Sequence, residues 1–186
     1  MSDVPPNALI FNIVLAEWVS LCLKAVVLLR IPDFLNDGPL SPEELAKKAG
    51  VNATNLHTTL RVLAGHGIFT ENVKDNLYSH NAASKELVTG VRGNCCAFVK
   101  MMAHESHQRP WQPDSLAECI KTGEEPFEKL FPADKDFWGY MDKRPNERAL
   151  FWETMETTST MWHSAIVEHY DFSSINSLVD IGGGKG

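Results

Sequence analysis

From Asn7 to about Leu29 the apolar positions fall three and four apart and wrap most of a helix: Leu9, Ile10, Ile13, Val14, Trp18, Leu21, Ala25 and Leu28, with Glu17 and Lys24 set among them. A helix this apolar needs cover on more than one side. A second subunit is the natural source of that cover, the alternative being burial inside its own fold. The run from Ala8 to Ile31 approaches a membrane span in composition, but Asn12, Glu17, Lys24 and Arg30 interrupt it and no small-residue cleavage site follows. The expectation is an amphipathic helix of a soluble chain, halted at the residue before Pro32.

The next apolar pattern is shorter and well punctuated. In Leu40–Ala46, Ser41 stands as N-cap, Pro42 occupies the first helical position, and Glu44 follows three residues after the cap, so a capping box is predicted, with Gly50 as the stop. Asn52 or Thr54 caps a third helix with Leu56, Leu60, Leu63 and Ala64 on its inner face, ending at Gly65 and Gly67. Ile68–Glu71 and Asn76–Ser79 then read as two short strands around the turn Asp75-Asn76. Helix, turn, helix and hairpin make a winged-helix arrangement. A winged-helix DNA-binding regulator needs cations along its second helix, and Ala53–His66 offers only Arg61 as a fixed one. A packing or dimerisation module is the better reading.

From Leu87 onward the spacing predicts helix again, with Cys96, Val99, Lys100 and Ala103 on one face and His104 and His107 closing the run before Pro110. A His-x-x-His pair is able to hold a metal on one helical face, but no third ligand stands at suitable spacing, so two ordinary histidines and no metal are expected. Trp111, Leu116 and Ile120 mark a short helix ending at Thr122-Gly123, followed by an aromatic-rich connection through Pro126-Phe127 and Leu130-Phe131-Pro132. A last helix runs from near Pro145 toward Ile166. Phe151, Met155, Thr158 or Ser159, and Trp162 share one of its faces, either as a core stripe or as a pocket wall. Beyond Tyr170-Asp171-Phe172 and Ile175, the tract Leu178–Ile181 reads as a buried strand that ends in glycines, where the main chain approaches a ligand more closely than any Cβ allows.

Composition narrows the partners. The chain has 186 residues, 44% hydrophobic and 22% charged, with a formal net charge of −7, which suits a globular core and disfavours a surface built to meet phosphate backbones; neither nucleic acid nor membrane is expected as a partner. Cys22, Cys95, Cys96 and Cys119 form no Cys-x-x-Cys pair and no zinc-type set, and reduced thiols in a cytoplasmic protein are the expectation.

Several of these stretches together carry a family likeness. Leu40–Ala46 and Leu60–Phe69 resemble the N-terminal dimerisation domain of S-adenosylmethionine-dependent small-molecule O-methyltransferases, as does the succession Trp111, Leu116, Thr122-Gly123, Phe127, Phe131, Trp138 and Tyr140. Phe151–Met155 is similar to that family's substrate helix, and Asp180-Ile181-Gly182-Gly183-Gly184-Lys185-Gly186 to its first cofactor motif. The resemblance implies a mainly α fold: a winged-helix-like dimerisation domain with a small β-hairpin, then the first strand and Gly loop of an incomplete Rossmann-like α/β domain. The implied boundaries are 1–105, 106–170 and 171–186.

The same resemblance implies S-adenosylmethionine as cofactor, with Ser159, Asp180, Gly182, Gly184 and Gly186 around its methionine end. Phe151, Met155, Thr158 and Trp162 match positions lining the acceptor pocket, and Phe11 and Trp18 are the candidates for closing a partner's pocket in a homodimer or heterodimer. The acidic residue for the ribose and the histidine base lie beyond Gly186 in that family, so the catalytic residue is not assigned. The 186 residues alone are expected not to turn over, and a second polypeptide is one way the rest of the cofactor domain is supplied. The alternative function is a non-catalytic dimerisation module that pairs with a complementary or full-length subunit.

Overall fold

The structure of the chain, a computed structural model, describes residues 5–182. Helix α1 (Pro6–Leu28) is followed by a one-turn helix α2 (Ile31–Phe34), and the turn between them places Arg30 in the left-handed region at φ 59°. Only Val26 and Val27 of α1 are buried. Leu9, Ile10, Phe11, Ile13, Val14, Leu15 and Trp18 all stand exposed, apolar on every side rather than along one stripe, so the helix is not amphipathic as expected.

Helices α3 (Pro42–Ala49) and α4 (Ala53–Gly65) start as their caps dictate. The Ser41 hydroxyl accepts from Glu44 N at 3.2 Å while the Glu44 carboxylate accepts from Ser41 N at 2.8 Å, and the Asn52 side chain accepts from Asn55 N at 3.0 Å. Strands β1 (Thr70–Asn72) and β2 (Leu77–Ser79) pair antiparallel, Glu71 opposite Tyr78, around a turn that holds Asn76 at φ 53°. A bridge from Leu40 to Tyr78 adds a further edge. Val26, Ile31, Leu35, Leu45, Leu56, Leu60, Leu63, Phe69 and Tyr78 fill the core between helices and wing. The winged-helix expectation holds.

One expected helix does not form where the sequence suggested. After α5 (Ala82–Lys85) the chain runs irregularly until α6 (Cys96–Met101). Gly90 and Gly93 adopt positive φ, 78° and 81°, and side chains take up the backbone groups a helix would use. Asn94 donates to Val88 O at 2.6 Å and accepts from Cys96 N at 3.1 Å, while Asp33 accepts from Thr89 N at 2.8 Å. Helix α6 then lies between α1 and the long final helix, with Val27, Leu87, Cys96 and Val99 packed together.

Short elements follow: α7 (Glu105–Gln108), a 3₁₀ turn (Arg109–Trp111), α8 (Pro113–Thr122) stopped by Gly123 at φ 73°, α9 (Pro126–Leu130) and α10 (Phe137–Asp142). The last helix, α11, spans Pro145–His169. The strand expected at Leu178–Ile181 is absent: Leu178, Val179 and Ile181 are 76%, 77% and 93% exposed, with no ladder partner. A parallel strand exists only when neighbours satisfy its N–H and C=O groups, and none of the described residues supplies one.

Candidate functional site

Helix α11 is packed over its first half and exposed at several described positions of its second. Over its first part it lies on α6, burying Thr154 and Thr157, while Phe151, Met155 and Thr158 are half-buried beside them. Farther on, Trp162, Ile166 and Val167 are exposed. The stripe expected from the sequence is therefore continuous from Phe151 to Thr158. Thr158 has already used its hydroxyl, which donates to Thr154 O at 3.0 Å and Met155 O at 3.1 Å, so its methyl rather than its O–H is what it offers a ligand.

Aromatic rings wall the start of this stripe. Phe151 meets Phe137 edge-on at 5.5 Å and Trp138 at 5.8 Å, and Trp138 stacks on Trp152 at 6.4 Å. Behind them, Phe127, Phe131 and Tyr140 form a buried cluster with Met141, capped by the Arg109 guanidinium 4.9 Å above Phe131. On the far side of Phe127, a cavity of about 270 Å³ opens between the 3₁₀ turn, α8 and α9, lined by Pro110, Trp111, Leu116, Cys119, Glu125 and Pro126.

A polar hub fixes the base of α11, and the sequence reading did not find it. The Tyr140 hydroxyl, on a fully buried ring, donates to both Glu147 oxygens at 3.3 and 3.1 Å. His104 Nδ1 stands 3.4 Å from Glu147, and Arg144 Nε 3.9 Å. Arg144 also covers the Tyr140 ring at 3.6 Å and reaches buried Asp134 at 3.2 Å, which Lys143 joins at 2.8 Å. Burial first, then the Glu147 carboxylate, pushes the Tyr140 phenol up to about 12. The Lys143 hydrogen bond first, opposed by desolvation and helped by Arg144, holds the Asp134 carboxyl below its ordinary value. The hub joins residues from two helices and three turns, so no single periodicity announces it. Tyr140 within an aromatic-rich tract was the only available signal.

His104 is part of this hub and His107 lies beside it; no group of three or more His, Cys, Asp or Glu side chains able to hold a metal ion occurs among the described residues. His107 Nδ1 is 3.1 Å from Ser106 Oγ and its ring meets Phe137 edge-on at 5.9 Å. Burial, then His104, lowers its basicity, with Glu147 acting in the opposite sense.

The residues expected around the cofactor are not brought together among the described residues. Ser159 is exposed on α11; Asp180 and Gly182 are exposed beyond it, and no described hydrogen bond or ion pair joins the three. Gly182 sits at φ 78° with nothing within 4 Å of the place a Cβ would take, so the main chain there is open to approach and its positive φ suits glycine. A carboxylate beside an open glycine turn fits an ammonium-bearing ligand end. Gly184 and Gly186 lie outside the described residues. Phe11 and Trp18, each 64% exposed on α1, are remote in sequence from this face and make no ring contact with it.

Comparison with known proteins supplies the common denominator. The O-methyltransferase dimerisation domain matches residues 11–90, and the O-methyltransferase domain matches residues 113–186. Over 94% of its length the chain is 30% identical to a mitomycin biosynthesis 6-O-methyltransferase of Streptomyces lavendulae, covering 49% of that protein. Over 98% it is 30% identical to the phenazine O-methyltransferase PhzM of Lysobacter antibioticus, covering 52%. The crystal structure of LaPhzM superposes with a TM-score of 0.81 at 29% identity, over 91% of this chain and 49% of that one. The chain thus spans about half the length of the curated relatives it matches. With a winged-helix dimerisation domain, a half-buried aromatic and methionine face on α11 and an open glycine turn in that order, the chain belongs to the S-adenosylmethionine-dependent O-methyltransferase family.

Proposed function

We propose that these residues are the dimerising and acceptor-binding part of a cytoplasmic enzyme that moves the methyl group of S-adenosylmethionine onto a hydroxyl of a small aromatic molecule. The observation that carries this reading is the face of α11, where Phe151, Met155 and Thr158 stay half-buried beside the rings of Phe137 and Trp138. Such a face offers flat apolar contact and a polarisable thioether to an aromatic ring. Asp180 with Gly182, Gly184 and Gly186 would hold the methionine end of the cofactor, and Ser159 would meet it from α11.

The cofactor, when bound, supplies an electrophilic sulfonium methyl. The protein's part is to align an acceptor oxygen in line with that carbon and to remove its proton. Among the 186 residues, those on α11 serve the first task, and no base for the second is assigned. The 186-residue polypeptide taken alone is therefore inactive, and the exposed tract Leu178–Ile181 gains its strand neighbours from the remainder of a cofactor domain, whether in the same chain or a second one. The bare apolar surface of α1 supports pairing of two subunits, and Phe11 and Trp18 would reach the partner's pocket.

A non-catalytic dimerisation module draws on the same bare α1 surface, and one experiment separates the readings. A chimera that continues from Gly186 with the remaining methyltransferase domain of a phenazine O-methyltransferase transfers labelled methyl from S-adenosylmethionine to a hydroxyphenazine, whereas the 186-residue polypeptide does not. Transfer by the short polypeptide, freed of longer species, or a folded dimeric chimera that binds the cofactor without transfer, contradicts the proposal.

A further inference from the structure

The face of α11 does not end at Phe151. Glu147, Phe151, Met155 and Thr158 follow at steps of four, four and three, so the same helical stripe carries a carboxylate one turn before the aromatic ring. That carboxylate is held fast: the Tyr140 hydroxyl engages both of its oxygens, and its side chain is only 19% exposed. His104 Nδ1 faces it at 3.4 Å. An anionic carboxylate on that side selects the imidazole tautomer with its proton on Nδ1, which leaves Nε2 a lone-pair acceptor. The His104 side chain is 35% exposed, and its Nε2 has no partner among the described residues.

Through Glu147 the His104 imidazole stands at the start of the α11 stripe, and the aromatic wall is touched by its neighbour on the chain. His107, three residues on, meets Phe137 edge-on at 5.9 Å, and Phe137 meets Phe151 at 5.5 Å. From Glu147 to Ser159 the helix rises by about 18 Å, so His104 stands at the end of the stripe away from the cofactor residues. A group bound at His104 is therefore not the one that receives the methyl. Resting on the acceptor-face reading above, we propose that His104, oriented by Glu147, is a specificity-determining residue whose Nε2 accepts a hydrogen bond from a second donor substituent, a hydroxyl or ring N–H, on a fused aromatic acceptor lying against Phe137 and Phe151.

The test is a binding titration of the 186-residue chain with 1-hydroxyphenazine, 1-methoxyphenazine and unsubstituted phenazine, followed by quenching of the fluorescence of Trp138 and Trp152 beside Phe151. The hydroxy compound binds about 5–10-fold more tightly than the other two, the ratio expected for one hydrogen bond. That preference disappears in His104→Phe, which keeps a ring but no acceptor. The hydroxy compound's advantage over the methoxy compound disappears also in Glu147→Gln, whose amide N–H facing Nδ1 moves the imidazole proton to Nε2, from which either oxygen accepts. Far-UV circular dichroism identifies any variant that fails to fold, and the other one then decides. Equal binding of all three compounds overturns the inference while leaving the acceptor face standing, as does a preference for the hydroxy over the methoxy compound that survives in a folded variant. Quenching by none of the three removes both.

Discussion

Tyr140→Phe isolates the hub at the base of α11. The substitution deletes one oxygen and leaves the ring, so the edge contacts to Phe127 at 5.7 Å and Phe131 at 4.9 Å and the Arg144 guanidinium at 3.6 Å persist. What goes is a hydrogen bond to a carboxylate, a class that contributes about 1.5–3 kcal/mol. Glu147 retains His104 at 3.4 Å and is 19% exposed, so water and the imidazole recover part of the loss and about 2 kcal/mol remains. For a chain of 186 residues that is a fall in Tm of about 5 °C. Urea denaturation at pH 7 and thermal melting measure it directly. The alkaline limb gives a second readout. The folded protein keeps the Tyr140 proton up to about 12 while the unfolded chain releases it near 10, so stability is present below pH 10 and is lost as pH rises toward 12. Tyr140→Phe flattens that loss, leaving the part due to Tyr78, whose phenol is also raised by burial and by Glu71. A variant as stable as wild type at pH 7, with an unchanged alkaline limb, refutes the hub.

Further outcomes follow from other elements. Ser41→Ala removes the hydroxyl that accepts from Glu44 N and costs about 1 kcal/mol in urea denaturation, whereas Ser41→Asp, which keeps an N-cap acceptor, costs less. His80 has Nδ1 on Ser84 Oγ at 2.9 Å and a buried Nε2 without a partner; burial depresses its basicity, so the folded state resists protonation and stability falls as pH drops below about 6.5. His80→Gln flattens that acid limb in pH-dependent melting. Trp18→Glu sets a charge in the bare apolar surface of α1 and weakens subunit pairing about 100-fold or more by sedimentation velocity, with far-UV circular dichroism unchanged because the ring is 64% exposed in the subunit.

What the sequence disclosed and what it withheld follow from the range of the forces involved. Capping is local, so Ser41, Glu44 and Asn52 announce their helices within four residues, and Gly123 announces the end of α8. The inner face Leu56, Leu60 and Leu63 is equally plain because one periodicity places all three. The segment before Cys96 misled because its apolar residues are helical in spacing while Gly90, Gly93 and Asn94 give the backbone other partners. Leu178–Ile181 has the apolar run of a buried strand but forms none, because a strand is a property of its neighbours, and none is present among the described residues. The α11 stripe was legible as far back as Phe151; its extension to Glu147 was not, since the partners that fix that carboxylate, Tyr140 and His104, lie seven and forty-three residues earlier in the chain.

In the proposed enzyme α11 is the wall against which an acceptor is aligned for methyl transfer. The most direct measurement is the kinetics of the chimera that carries a complete methyltransferase domain after Gly186, compared with its Phe151→Ala and Met155→Glu variants. Loss of the Phe151 ring lowers kcat/KM for a hydroxyphenazine by about 10–100-fold while the affinity for S-adenosylhomocysteine stays within about twofold. Variants that transfer methyl as well as the parent, or that lose cofactor affinity in step with turnover, contradict that role.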